Sequence, residues 1–399
     1  MSKAHGSPLQ HTWKNLGTHR KPDISQEQKA KIVFQLGTIT EHLSRLYFNR
    51  AGSLFEEDGE FHIKTCLSRG LLLNGRHALE DIHRGPFKYE KDYYNAQISA
   101  FIEHVKYLPL GHHCFFAPVP ARSEYDDDAK FRKASDWWSD FVTVQSKIDS
   151  ADNRTDYVVA GEILSETITN WAKDLSDGDH EHRFVLHHPD LSVNNIYVDE
   201  DFNITCIIDW AFCSAVPLSM LLTAPGLPQS RHEVDASLFP TFEHGFRHAL
   251  EKSTQRQGVG IESVLCWMLR RSRPMWLLSR ILSFDSTRDY HLFKNLWELI
   301  RCHDQDMVDF FHSKQSSKNY ISLCSELKED DQKTEQIARL EKDYFHDDVR
   351  RQTVSKKLTL VSQWSSRYQA PRAHGIRSNG CVFVADKRLW SWIGDCQKS

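Results

Sequence analysis

Apolar residues recur every three or four positions along most of this chain. Ile32, Leu36, Ile39, Leu43 and Leu46 follow one another at intervals of 4, 3, 4 and 3, a single helical stripe that faces a core. Ser25 and Gln28 stand ahead of it at the spacing of a capping box, the hydroxyl to the N3 amide and the Gln side chain back. The period returns over residues 93–108, where Tyr94, Ile98, Phe101, Ile102 and Val105 share one side. Further helices are expected over 137–148, 158–175, 238–251, 261–282 and 290–311, with Pro274 kinking or breaking the one that contains it. Trp267, Trp276 and Trp297 in this half read as core fillers rather than a ligand cage. Residues 325–360 are strongly charged with helical spacing, an exposed helix or pair. Between 48 and 63 the pattern shortens: Gly52, Gly59 and the turn Glu56-Glu57-Asp58 indicate loops with short strands.

One stretch breaks the helical period. Residues 184–210 read FVLHHPDLSVNNIYVDEDFNITCIIDW. Three short apolar runs, 184–186, 196–198 and 204–208, are separated by polar turns rich in Asp and Asn, which predicts β-strands with a hairpin turn near Phe202. Centred there, the hairpin places Ile196 opposite Ile208 and Asn195 opposite Asp209. Directly opposed residues lie roughly 4.5–5.5 Å apart. An amide and a carboxylate would then meet at the open end of the hairpin, with Asp190 just upstream. Three oxygen-bearing side chains at one mouth suit a hard cation such as magnesium, which takes one or two protein oxygens together with phosphate.

Composition narrows the classes. With 399 residues, 40% of them hydrophobic and 26% charged, the chain has a globular composition and can build a sizeable core. The formal net charge of -4 gives no field for nucleic acid or an anionic membrane. No apolar run reaches the roughly 18 residues that a spanning helix needs. Nine scattered cysteines, with no Cys-x-x-Cys among them, suggest neither a disulfide framework nor a zinc site, so a cytoplasmic protein with reduced thiols is expected. The first 24 residues are polar and basic, and read as a disordered or truncated N-terminus, with a targeting segment, mitochondrial included, as the alternative. Asp126-Asp127-Asp128 fits no cation-loop template and reads as a solvated turn.

The key stretch also carries a resemblance. His188-x-Asp190-Leu191-x-x-x-Asn195, followed by a strand pair that ends in Asp209, resembles the catalytic and metal loops of the kinase-like fold. In flavour it looks like the aminoglycoside phosphotransferase-like family, and its large fungal branch in particular. Arg45 to Phe48, Gly52 to Phe55 and Arg84-Gly85-Pro86-Phe87 are further elements similar to that branch, whereas Ala211 stands where an acidic residue is usual. The resemblance implies an α+β, predominantly α fold: the C-terminal lobe of a protein-kinase-like fold over residues 25–315, with a charged helical extension and tail over 316–399. It implies transfer of the γ-phosphoryl of ATP to the hydroxyl of a small molecule, with Mg2+ as cofactor. Asp190 would be the catalytic base, Asn195 and Asp209 the magnesium ligands, and His188 a brace for the loop. Residues 222–228 would lie near the acceptor. The acceptor itself is not legible.

In kinase-like enzymes a small N-terminal lobe supplies a Gly-rich loop and a strand lysine to the phosphates. No Gly-x-Gly and no such lysine precede Ser25 here. Val382-Phe383-Val384 with Lys387 bears a superficial likeness, but its spacing and order are wrong. The N-terminal nucleotide lobe is therefore expected to be largely absent, and phosphotransfer by this chain weak or nil. Two further readings compete: a single-lobe pseudokinase that acts as a binding or scaffold module, and an α-helical repeat protein, against which the lack of a repeat period counts.

Overall fold

The computed structural model describes residues 4–13, 24–111, 113–116, 120, 125–143, 148–176, 184–230, 232–254, 260–284, 288–300, 306–329, 331 and 333–346. Its first elements are strand β1 (Ser7–Pro8) and helix α1 (Gln26–Leu43), then strands β2 (Tyr47–Phe48), β3 (Ser53–Glu57) and β4 (Glu60–Lys64). Helices α2 (Arg69–Leu72), α3 (Glu90–Tyr107), α4 (Asp128–Thr143) and α5 (Ala151–Ser176) follow. Strands β5 (Phe184–His187), β6 (Ile196–Val198), β7 (Ile204–Ile207) and β8 (Ser214–Pro217) come next. The remainder is helical: α6 (Leu218–Leu221), α7 (Phe239–Thr254), α8 (Gly260–Arg270), α9 (Arg273–Ser283), α10 (Asp289–Ile300), α11 (Met307–Gln315), α12 (Lys318–Lys328) and α13 (Thr334–His346). The fold is α+β and predominantly helical, with small sheets.

The capping box at the start of α1 is present in full: Ser25 Oγ accepts from the Gln28 amide at 3.2 Å, and Gln28 Oε1 accepts from the Ser25 amide at 2.8 Å. The helix expected over 261–282 is two helices. The chain turns at Arg271-Ser272, which leaves Pro274 in the first turn of α9, where its missing N–H has no intrahelical partner to lose. The expected 290–311 helix also divides, into α10 and α11, and Asp306 caps the second by accepting from the amides of Val308 and Asp309. Residues 362–399, the likeness at 382–387 included, lie outside the described residues.

The chain divides into two compact units that interleave along the sequence. The first comprises Met1–Leu73, Ile82–Ala96 and Trp171–Ser279; the second comprises Asn74–Asp81, Gln97–Asn170 and Arg280–Ser399. Helices α11 to α13 belong with residues 97–170.

In the first unit α1 packs along α7 at backbone distance. A Cβ on Gly37 would stand 2.2 Å from the Phe242 carbonyl oxygen, and one on Gly245 would stand 2.0 Å from that of Phe34, so only glycine fits at either crossing point. Two three-stranded antiparallel sheets lie in the same unit, in orders β2-β5-β8 and β1-β6-β7, together with the β3–β4 hairpin. That hairpin turns at Asp58-Gly59, both at positive φ, the geometry of a tight primed turn.

The N-terminal segment differs from its expected disorder. Ser7 and Pro8 pair with Val198 and Tyr197 on the edge of β6, and the Gln10 amide donates to the Val193 carbonyl at 3.0 Å. Leu9 and Trp13 are buried in the main core with Ile32, Leu36, Ile196 and Phe246. Burying two large apolar side chains contributes on the order of 1.5–3 kcal/mol each. That opposes part of the cost of ordering the segment, whose polar sequence hides two well-placed anchors.

The second unit is built on α4, α10 to α13 and the 97–107 and 151–170 parts of α3 and α5. Its core is aromatic: Phe115 stacks on Phe311 with centroids 5.2 Å apart and meets Phe293 edge-on at 5.4 Å. Trp297 belongs to this packing, stacked on Phe293. Trp267, expected in a core, is instead substantially exposed, with Arg271 over its ring.

Candidate functional site

β6 and β7 form the expected hairpin in a register one residue from the expected one. Ile196 faces Ile207, Tyr197 faces Cys206 and Val198 faces Ile204. A bulge beside Tyr197/Val198 takes Thr205 out of the count, and such an insertion shifts every pair beyond it. The turn closes one residue earlier than a turn centred on Phe202: the Asp199 amide donates to Asn203 O, and the Asp199 carboxylate accepts from the amides of Asp201 and Asn203. Asn195 consequently stands opposite Ile208, whose amide donates to its carbonyl at 2.9 Å. Direct opposition of Asn195 and Asp209 is corrected by this register. Asp209 leaves the ladder at φ 60°, a left-handed conformation that Asp tolerates better than most residues.

The loop between β5 and β6 is closed by side chains. His188 is buried. Its Nδ1 accepts from the Asp190 amide at 3.2 Å, and its Nε2 lies 2.9 Å from the Ile208 carbonyl. A carbonyl only accepts, so the ring carries its proton on Nε2, and both contacts are then satisfied. The Trp210 ring stands edge-on to His188 at 4.8 Å. One imidazole thereby ties the loop that carries Asp190 to the strand end that carries Asp209. Desolvation, and secondarily His188, lowers the pKa of His187 next door to about 4.

Asn195 is buried, and its Nδ2 donates to the Asp190 carbonyl at 2.8 Å. Because the amide nitrogen is committed there, Oδ1 is left as an acceptor. The Asp190 carboxylate accepts from Ser230 Oγ at 2.6 Å through Oδ1. The Asp209 side chain is exposed and makes no hydrogen bond among the described residues. Asn195 Oδ1 and the Asp209 carboxylate are hard oxygens of the kind that magnesium takes together with phosphate. Among the described residues no group of three or more His, Cys, Asp or Glu is placed to hold a metal.

Residues 228–230 pack against the loop. The Val193 amide donates to the Pro228 carbonyl at 3.1 Å. The His232 amide closes a turn onto Gln229 O at 2.9 Å. A Cβ on Gly226 would stand 1.6 Å from the His232 carbonyl oxygen, so that position admits no side chain. Of these residues the sequence singled out the 222–228 loop but not Ser230, which lies 40 positions beyond Asp190; a lone serine in a loop carries no periodic or spacing signal.

Set against protein families, curated proteins and solved structures, the chain matches none. Among the described residues no helix is long and apolar enough to cross a membrane.

Proposed function

We propose that the loop of residues 188–209 is a phosphoryl-transfer centre of the aminoglycoside phosphotransferase-like kind, in a C-terminal lobe of kinase-like fold, acting on the hydroxyl of a small molecule with ATP as donor. The observation that carries this reading is the His188 bridge. Its two hydrogen bonds hold the Asp190 loop and the end of β7 as one piece, and a transfer site needs its base and its metal ligands in a fixed mutual geometry.

Within this reading Asp190 is the base, its carboxylate accepting the proton of the acceptor hydroxyl as the oxygen attacks. Asn195 has two duties: Nδ2 holds the Asp190 backbone and Oδ1 is offered to the cation, with Asp209 as the second ligand. Asn195 Oδ1 and Asp209 would hold magnesium, which would supply positive charge to the phosphates during transfer. His188 touches no reactant and fixes the loop.

The test is Asp190→Ala in the purified full chain. ADP release is followed with magnesium ATP across aminoglycosides, choline, sugars and amino alcohols. Turnover should fall by about 10²–10⁴-fold, the usual worth of a general base, while magnesium-dependent ATP affinity measured by calorimetry stays within about twofold of wild type, because Asp190 acts on the acceptor. Equal turnover in both proteins refutes the role. ATP binding with no Asp190-dependent turnover would point to a binding module of the pseudokinase kind, and absence of both would remove the nucleotide reading altogether.

A further inference from the structure

Asp190 is held at three atoms. Its amide donates to His188 Nδ1, its carbonyl accepts from Asn195 Nδ2, and its Oδ1 accepts from Ser230 Oγ at 2.6 Å. The first two bonds fix the backbone of the residue. Only the third fixes the side chain, whose carboxylate would otherwise turn freely about its two torsions. Among the described residues Oδ2 has no partner. A short hydroxyl–carboxylate bond is charge-assisted, and its position on Oδ1 decides which oxygen remains for an incoming hydroxyl.

Ser230 is itself held. The neighbouring Pro228 carbonyl takes the Val193 amide from the far end of the same loop. Gln229 and His232 close the turn that presents Ser230, and Gly226 lets the His232 carbonyl approach where no side chain fits. The segment therefore touches the 190–195 loop at two points, one backbone and one side chain, both from residues that are at least partly buried.

We infer that Ser230 is a positioning residue for Asp190: its hydroxyl clamps Oδ1 and turns Oδ2 toward the acceptor. This inference rests on the phosphotransferase reading and adds a residue that the catalytic-loop motif does not contain. A merely structural serine would alter stability and all kinetic constants together, whereas a rotamer clamp acts on the chemical step alone.

The experiment compares wild type with Ser230→Ala, Ser230→Cys, Ser230→Thr and Asp190→Ala, using magnesium ATP and whichever acceptor supports turnover. Ala removes the donor, and Cys keeps the size with only a weak donor. Each should lower kcat by roughly 10–100-fold, the worth of a hydrogen bond to a charged group, with the KM for ATP within about twofold and the melting temperature nearly unchanged. Thr keeps the hydroxyl and should recover most of kcat. Loss of activity in Asp190→Ala with none in Ser230→Ala would overturn the role of Ser230 and leave the reading of the site intact. Loss in Thr as severe as in Ala would overturn it too, since the hydroxyl would then not be what matters. If no acceptor gives Asp190-dependent turnover, the phosphotransferase reading falls and the role of Ser230 with it.

Discussion

Asp209 shows how much one residue's backbone can matter. It leaves β7 with φ 60°, where a Cβ-bearing residue normally meets steric resistance. Asp and Asn occupy this region more readily than branched residues do. Asp209→Asn should therefore leave stability within about 0.5 kcal/mol; if the proposed phosphotransferase reading holds, it should weaken magnesium-dependent ATP binding by about tenfold or more, roughly 1.4 kcal/mol, because a charged ligand would become a neutral one. Asp209→Val should lose both binding and stability, since a β-branched residue is a poor fit at positive φ. Calorimetry and thermal melts of the pair separate the carboxylate from the conformation. The types and spacing of His188, Asp190, Asn195 and Asp209 were legible in the sequence because they sit within one short stretch. That Asn195 faces Ile208 rather than Asp209 was not, because the turn closes Asp199 on Asn203, centred on Asp201 rather than Phe202, and the bulge restores only one of the two positions this removes.

Among the elements, β1 is one that pattern-reading missed. Two residues of strand are too few to show an alternation, and the flanking residues are polar. What orders the segment is tertiary: Leu9 and Trp13 enter a core built from α1, β6 and α7, and Gln10 hydrogen-bonds to the loop that carries Asp190. Leu9→Ala should cost about 2–5 kcal/mol, and hydrogen exchange should quicken first at the amides of Val193 and Asn195, in the loop whose Val193 carbonyl the Gln10 amide holds. Uniform loosening across both units, or no change at the loop, would contradict a bracing role. The α1–α7 crossing makes a second, sharper prediction. Gly37→Ala or Gly245→Ala forces a methyl into backbone 2.2 or 2.0 Å away, so each should destabilise by about 1–3 kcal/mol or more through helix displacement, although Ala is the better helix former. Denaturant titration reads this directly. A stabilised Gly245→Ala would mean that the helices are not in contact there. The helices were foreseeable from their 3.6-residue period; the closeness of two of them was not, since glycine in a helix says only that a side chain is missing.

For the molecule as a whole, the pH dependence of stability has an identifiable contributor in the second unit. Asp156 is buried on α5, its Oδ1 accepts from Gln315 Nε2 at 2.8 Å, and its Oδ2 has no partner. Burial raises its pKa to about 8 from an ordinary 3.8. The folded state therefore keeps a proton that the unfolded chain releases. Stability from this group is fully present below about pH 4 and is lost progressively as pH rises through about 8. Asp156→Asn, neutral at every pH and able to place a donor where the carboxyl proton sits, should flatten that slope. Urea midpoints at pH 5, 7 and 8.5 check it, and an equal slope in the variant would exclude Asp156 as the source. No reading of the sequence marked this residue, because burial of an acid is a property of the assembled core.

The sequence by itself determined what is local: the capping box that starts α1, where Pro274 forbids a helix from continuing, where an Asp-rich turn folds two strands together, and which oxygen-bearing side chains travel in one stretch; the starts of α4 and α5, expected at 137 and 158, fall instead at Asp128 and Ala151. Those features depend on residues a few positions apart, whose backbone preferences and caps act before any packing. Only the tertiary structure decided the rest: the one-residue register, the docking of residues 4–13, the interleaving of the two units and the approach of Ser230 to Asp190 across 40 positions of chain. Each of these depends on which surfaces exclude water together. That is a property of distant residues jointly, and no local pattern encodes it.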